Sequence, residues 1–199
     1  MDIGYSGRQI TITDKYITLL DRFVFDFVRI LDRMTLYVIV SGYVSILFGR
    51  SRGTEDIDIL VPFMEKEAFG TLHRALLMQG YEFLNAENEE GLYAMLGGRM
   101  GIRIAEKDRF IPNIELKFLK DDIDRLVMKD RLEVRIGQES VYISPIEIQI
   151  AYKLFLGSEK DLEDAVYLWE IFKDRLDHVA MKSFMKRFAV QGDNYGITV

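Results

Sequence analysis

The sequence predicts an α/β (α+β) protein, a mixed sheet flanked by helices with a helical part at its C-terminal end. Three observations predict it. Short β-branched or period-two runs such as Tyr37–Val40, Asp56–Val61 and Pro112–Phe118 alternate with helical segments as far as Ile143. Glycine and proline punctuate them, as at Ser41-Gly42, Pro62, Gly80 and Gly97-Gly98. From Ser144 onward only the helical period remains. That change divides the chain into 1–143, the α/β part, and 144–199, a helical part packing on it.

The elements follow in order. Tyr16–Met34 (YITLLDRFVFDFVRILDRM) reads as an amphipathic helix, since Asp21, Arg22, Asp26, Arg29, Asp32 and Arg33 recur along one stripe, too many charges for a membrane span. Thr13 or Asp14 is its expected N-cap. Arg22 with Asp26, and Asp26 with Arg29, are spaced to pair along the stripe. Ile17, Leu20, Val24, Phe27 and Leu31 form the face expected to pack on the sheet. Tyr37–Val40 is a strand, and Tyr43–Leu47 begins a helix after the Ser41-Gly42 turn. Asp56–Val61 is a strand stopped by Pro62, and Glu65–Met78 a helix closed by Gly80. Tyr81–Leu84, Gly101–Ala105 and Pro112–Phe118 read as strands. The acidic stretch Asn85–Glu90 is a loop or a helix start, and Asp121–Met128 a short helix. Leu132–Ile136 and Ser140–Ile143 flank Gly137-Gln138 as a hairpin. Ser144-Pro145-Ile146-Glu147 reads as a capping box opening the helix to Leu156, and Asp161–Lys173 and Asp177–Phe188 are two further helices.

Composition narrows the class of protein. A chain of 199 residues, 49% hydrophobic, is long enough for one sizeable core or two small ones. The net charge of −6 argues against a dominant basic face for duplex nucleic acid. With no cysteine, disulfides and thiolate metal sites are excluded, and His73 and His178 are too few and too far apart to suggest zinc. No basic-then-apolar leader opens the sequence, so a cytoplasmic location is expected.

The chemistry is concentrated in VIVSGYVSILFGRSRGTEDIDILV, 38–61. Strand residues alternate faces, so Asp56 and Asp58 project from one side, about 6–7 Å apart at ~3.3 Å of rise per residue. Two carboxylates that close call for a cation between them, and a divalent metal is the usual one. The Ser41-Gly42 turn leads a strand into a helix, where unpaired N–H groups favour an anion and glycine lets a phosphate approach. Ser41 and Ser45 are candidate hydroxyl donors. Together these features describe a metal–nucleotide site.

This segment resembles motif I of the DNA polymerase β-like nucleotidyltransferase superfamily, in which a glycine pair or Gly-Ser is followed, about a dozen residues on, by Asp-hydrophobic-Asp. Thirteen residues, Tyr43–Glu55, separate Gly42 from Asp56. The string Arg52-x-Thr54-x-Asp56-Ile57-Asp58 is most similar to the small minimal and AbiEii-type, toxin-like members. A second block, Ser144–Phe172, resembles the AbiEii pattern of a lysine on one helix, here Lys153, and Lys/Arg-Asp-x-x-Asp opening the next, here Lys160, Asp161 and Asp164. The resemblance implies Mg2+ or Mn2+ with an NTP as substrate, a hydroxyl acceptor of RNA, protein or small-molecule type, and a cognate antitoxin as partner. It implies metal-holding, catalytic roles for Asp56, Asp58 and a third carboxylate, Glu115, on the polar face that Asn113, Glu115 and Lys117 share. It implies nucleotide contacts at Ser41, Gly42, Tyr43, Ser45, Arg52, Thr54, Lys153 and Asp161, with Lys153 facing the phosphates. Arg52 and Thr54 brace the loop, Arg50 reaches toward phosphate, and Tyr43 stacks on a base or packs.

Two positions depart from the pattern. Ser41 stands where the first glycine is usual, and Glu115 where aspartate is usual, with Lys117 placed to neutralise it. An active transferase and a catalytically degenerate nucleotide-binding or regulatory module both remain open at this stage. So does an interaction protein with a solvated acidic strand end. The capping-box spacing Ser158-Glu159-Lys160-Asp161 gives Asp161 a purely structural alternative.

Overall fold

The computed structural model describes residues 1–86 and 88–199; Glu87, within the stretch expected as a loop or helix start, lies outside the described residues. A hairpin of β1 (Asp2–Ser6) and β2 (Gln9–Thr13) opens the chain, followed by helix α1 (Leu19–Leu31), β3 (Val38–Val40), α2 (Gly42–Leu47), β4 (Asp56–Val61) and α3 (Lys66–Met78). Then come β5 (Tyr81–Phe83), α4 (Glu89–Gly97), β6 (Ile102–Glu106), β7 (Asn113–Phe118), α5 (Asp122–Lys129), β8 (Leu132–Ile136) and β9 (Glu139–Ile143). Helices α6 (Ile146–Leu156), α7 (Glu159–Phe172) and α8 (His178–Phe188) complete the series. No helix among the described residues is long and apolar enough to cross a membrane.

The strands form one mixed sheet in the order β1-β2-β8-β9-β3-β4-β7-β6-β5. β4 runs parallel to β7 and antiparallel to β3, so the strand carrying Asp56 and Asp58 is central, paired along both edges. One apolar cluster spans Val24 and Phe27 of α1, Ile39, Ile57 and Ile59 of the sheet, and Ile150, Leu168 and Trp169 of α6 and α7, so it is continuous across Ser144. A smaller cluster on the opposite face joins Val38 and Leu60 to Val127, Met128 and Ile148. Asp58 shares a strand face with Leu60, two residues on, so the acidic pair sits at the end of an apolar floor.

Several local expectations need correction. The N-terminal hairpin was not foreseen, and β2 pairs in parallel with β8, Gln9 opposite Glu133, burying Ile10 and Ile12. Thr13 therefore ends a strand, and Asp14 turns away with φ +55°, so neither caps α1. Thr18 does, through a capping box in which its hydroxyl accepts from the Asp21 N–H and Asp21 accepts from the Thr18 N–H. Asp21 is thereby fully buried rather than part of a solvated stripe, and Lys15 lies 2.8 Å from it. Asp26 pairs with Arg29, as expected, at 2.9 Å; among the described residues Arg22 makes no ion pair with it. At α6, Pro145 is the N-cap and makes no side-chain cap. Ser144 instead donates to Gln149 at 2.8 Å, and Glu147 accepts from the Asp177 N–H at 3.0 Å.

Candidate nucleotide and carboxylate site

Sheet register brings the predicted elements to one level. Val40 of β3 lies opposite Asp58 of β4, and Asp58 lies beside Glu115 of β7, so the three form a row directly below the Ser41-Gly42 turn. Asp56 lies one step away on the same face, beside Asn113. The start of β4 is pinned from both sides. The Thr54 hydroxyl donates to the Asp56 carbonyl at 2.8 Å, and the Asn113 side-chain amide donates to the Glu55 carbonyl at 3.1 Å and the Phe110 carbonyl at 3.2 Å.

The turn is held as tightly. Ser41 has φ +66° and ψ −141°, a conformation suited to glycine, the residue usual in the motif. Its carbonyl accepts from Gln149 at 2.7 Å, which in turn accepts from Ser144. Gly42 is needed for space: a Cβ there would lie 3.0–3.1 Å from the guanidinium atoms of Arg52, which packs against the turn. Tyr43 and Ser45 point the other way. Tyr43 is fully buried, and its hydroxyl donates to Asp21 at 2.8 Å. Burial, with the Asp21 charge beside it, pushes the phenol well above its usual range. Tyr43 therefore packs and is not placed to stack on a base. Ser45 is also fully buried, so its hydroxyl is not presented to a phosphate.

The second block comes together, though not as expected. Lys153 is 1% exposed, and its ammonium lies 2.6 Å from Asp161 and 2.8 Å from Asp164. Arg50 and Arg52 also pair with Asp164, which is completely buried, and Arg50 pairs with Glu163 as well. Lys153 is thus a strut inside a charge knot rather than a cation facing phosphates. Asp161 serves both sides: it bonds Lys153, and its N–H donates to the Ser158 hydroxyl that caps α7. Burial raises the Asp161 carboxyl, but hydrogen bonds from Lys153 and Ser158 outweigh this and hold it below the usual range. The knot fixes the 50–54 loop, and with it Arg52 against Gly42.

At the rim, Lys117 lies between the acids, 2.8 Å from Asp58 and 2.9 Å from Glu115. Burial pulls this ammonium down, but the two carboxylates outweigh it and leave it above the usual lysine value. Gly101, read from sequence only as a strand start, matters here. A Cβ on it would fall 2.6 Å from a Glu115 carboxylate oxygen and 3.0 Å from Lys117 Cε. The only signal in the sequence was a glycine where the alternation begins. Among the described residues, no three His, Asp or Glu side chains cluster closely enough to hold a metal ion. Asp56, Asp58 and Glu115 therefore do not fit as a three-carboxylate metal set, because an ammonium already joins two of them.

Two grooves meet this rim. One, of about 330 Å³, is lined by Ser41, Asp58 and Lys117 with an apolar wall that includes Leu60, Ile148 and Tyr152. The other, of about 600 Å³, is more open and is lined by Asp56, Thr54, Arg50, Arg52 and Lys160. The carboxylate pair thus opens on two sides, with apolar surface on one and cations on the other.

No protein-family model and no curated protein sequence matches this chain. Solved structures do. The complex of ANT(2'')-Ia with adenylyl-2''-tobramycin superposes with a TM-score of 0.56 at 16% identity, covering 86% of this chain and 99% of that one. The solution structure of the same antibiotic-resistance factor gives 0.53 at 13% identity, covering 91% and 95%. An antigenic nucleotidyltransferase-like protein from Paracoccidioides brasiliensis gives 0.54 at 13% identity, covering 83% and 85%. At these identities the likeness is one of architecture, and the architecture is the nucleotidyltransferase fold.

Proposed function

We propose that this protein transfers a nucleoside monophosphate from an NTP to a hydroxyl acceptor, with release of pyrophosphate. The observation that carries this reading is the row Val40–Asp58–Glu115 directly beneath the Ser41-Gly42 turn, on a nucleotidyltransferase fold. The acceptor oxygen bonds the α-phosphorus as the bond to the bridging oxygen breaks. Pyrophosphate departs, and the hydroxyl proton leaves by way of a rim carboxylate. Arg52, held against Gly42 by Asp164, supplies positive charge beside the turn. Asp56 and Asp58 are the carboxylates available to a Mg2+ or Mn2+ ion carried by the triphosphate, whose charge it would neutralise. Residues 1–143 carry these groups, and 144–199 supplies Gln149 to the turn and Tyr152 to the groove wall. The binding of adenylyl-2''-tobramycin by ANT(2'')-Ia supports a hydroxylated small molecule as one acceptor class.

The finer placement is among the AbiEii-type, toxin-like proteins, which would bring a cognate antitoxin as partner. Its support is the assembly of Lys153, Asp161 and Asp164 around the loop of motif I. A second reading, a nucleotide-binding or regulatory module without turnover, draws on the neutralisation of Asp58 and Glu115 by Lys117. Labelled NTPs incubated with the protein and cell extract separate the two. Transfer of label with pyrophosphate release, lost in Asp56→Ala/Asp58→Ala, is expected. Tight NTP binding without transfer across a broad acceptor panel selects the second reading. Unchanged Mg-ATP binding by the double variant overturns both.

A further inference from the structure

We propose that Lys117 is a built-in counter-cation that takes, at Asp58 and Glu115, the charge-neutralising place of a second divalent ion, so that the carboxylate rim accepts one such ion rather than two. The inference rests on reading Asp56 and Asp58 as the nucleotide site.

Geometry carries it. The ammonium is within hydrogen-bond distance of both carboxylates, at 2.8 and 2.9 Å, and all three side chains are only about one-fifth exposed, at 22%, 19% and 23%. A pair this sheltered is screened far less than one on an open surface. Lys117 stands beside Leu60, one step up the β4–β7 ladder from the Asp58–Glu115 pair, on the same face. Its four-carbon stem must therefore lean back along β7 to reach Glu115 and across to reach Asp58. The neighbouring chain is shaped around that path. Gly101 offers no side chain where a Cβ would press on a Glu115 oxygen at 2.6 Å, on its Cγ at 2.8 Å and on Lys117 Cε at 3.0 Å.

The charge count agrees. Asp56, Asp58 and Glu115 carry three negative charges and Lys117 one positive, leaving a rim of −2, which one divalent ion balances. A second ion between Asp58 and Glu115 would have to occupy the space of the ammonium and be repelled by it. An ammonium has three donors, and two are used here, so one N–H remains for the groove that Lys117 lines.

The test uses Mn2+ alone, with free ion counted by electron paramagnetic resonance and stability followed by thermal melting. Wild type is expected to bind one Mn2+ per chain. Lys117→Met is expected to bind a second one at least tenfold tighter than wild type does, with a larger Mn2+-dependent rise in melting temperature, since a ligand of the native state stabilises it. Adding Glu115→Gln to Lys117→Met should remove that gain. Two Mn2+ ions on wild type, or a gain that survives Glu115→Gln, overturns the proposal. If Lys117→Met does not fold, Glu115→Gln in the wild-type background decides. Unchanged Mn2+ affinity supports the proposal, and a tenfold loss overturns it by making Glu115 a ligand. None of these arms needs a nucleotide. An ATP analogue that fails to bind any variant therefore removes the functional reading and leaves the Mn2+ comparison standing.

Discussion

At the rim of β4 and β7, one lysine touches two carboxylates that remain about one-fifth exposed; under the 50–54 loop, another lysine touches two carboxylates of which one, Asp164, is completely buried. Residue types and contact distances are nearly the same, and burial separates the two regions. Lys153 shares Asp164 with Arg50 and Arg52, and the Lys153–Asp164 pair at the centre of that knot is out of reach of solvent, with the two arginines and Asp161 only partly exposed around it. Unpairing such a group leaves an uncompensated charge in a poor dielectric, so Lys153 cannot be lent to a ligand. Lys117 can, because water already reaches all three rim side chains and the ammonium keeps one carboxylate when it releases the other. The knot acts as scaffold for the loop that aims Arg52, and the rim is where ligand charge can be exchanged.

Truncating the shared acid of each region is the strongest way to break this contrast. Asp164→Ala takes a carboxylate from three cations at once, leaving Arg52 with none and the buried Lys153 with Asp161 alone, and is expected to lower unfolding free energy by about 3–5 kcal/mol in urea titrations. Asp58→Ala, at the rim, should cost about 1 kcal/mol or less while removing nucleotide binding. If the two variants lose equal stability, the rim is also scaffold and the contrast fails. Lys153→Met comes next in size. Asp164 keeps its two arginines, so the loss should be about 1–3 kcal/mol. In the folded variant, NTP affinity should stay within about threefold of wild type, less than 1 kcal/mol. A much larger drop in NTP affinity at unchanged stability would return Lys153 to the phosphates.

This division between regions also explains what the sequence disclosed. The Asp56–Asp58 alternation, the turn at Ser41-Gly42 and the polar face of Glu115 and Lys117 are local, period-two features, and the fold class follows from them with the helical run after Ser144. The contacts that misled are long-range. Thr13 and Asp14 resemble a helix cap until β2 finds β8 more than a hundred residues away. Tyr43 resembles a base-stacking residue until Asp21, on a helix formed earlier in the chain, captures its hydroxyl. Lys153 sits near the end of an amphipathic helix, and only the packing of α7 against α6 shows that its ammonium is enclosed. Gly101 carries no pattern at all, because its importance lies in the space it leaves for Glu115 on the next strand.

The smallest expected effect lies at Ser41, where the two regions meet: its carbonyl is held by Gln149 of α6, and the neighbouring Gly42 packs on Arg52 of the knot. With φ +66° and ψ −141°, a serine there carries backbone strain of about 1–3 kcal/mol. Ser41→Gly removes that strain but adds freedom to the unfolded chain, which offsets about 0.5–1 kcal/mol of the gain. The bond to Gln149 uses the main-chain carbonyl and survives the change. A net stabilisation of about 1 kcal/mol is expected, read as a rise of about 2–4 °C in melting temperature for a chain of this size. NTP affinity adds the second reading of the same variant. If the turn contacts phosphate through backbone alone, affinity stays level as stability rises. If affinity falls while stability rises, the serine hydroxyl is a ligand contact, and its strain is retained for binding rather than for the fold. A fall in stability would mean that the hydroxyl itself holds the turn, placing Ser41 with the scaffold rather than the rim.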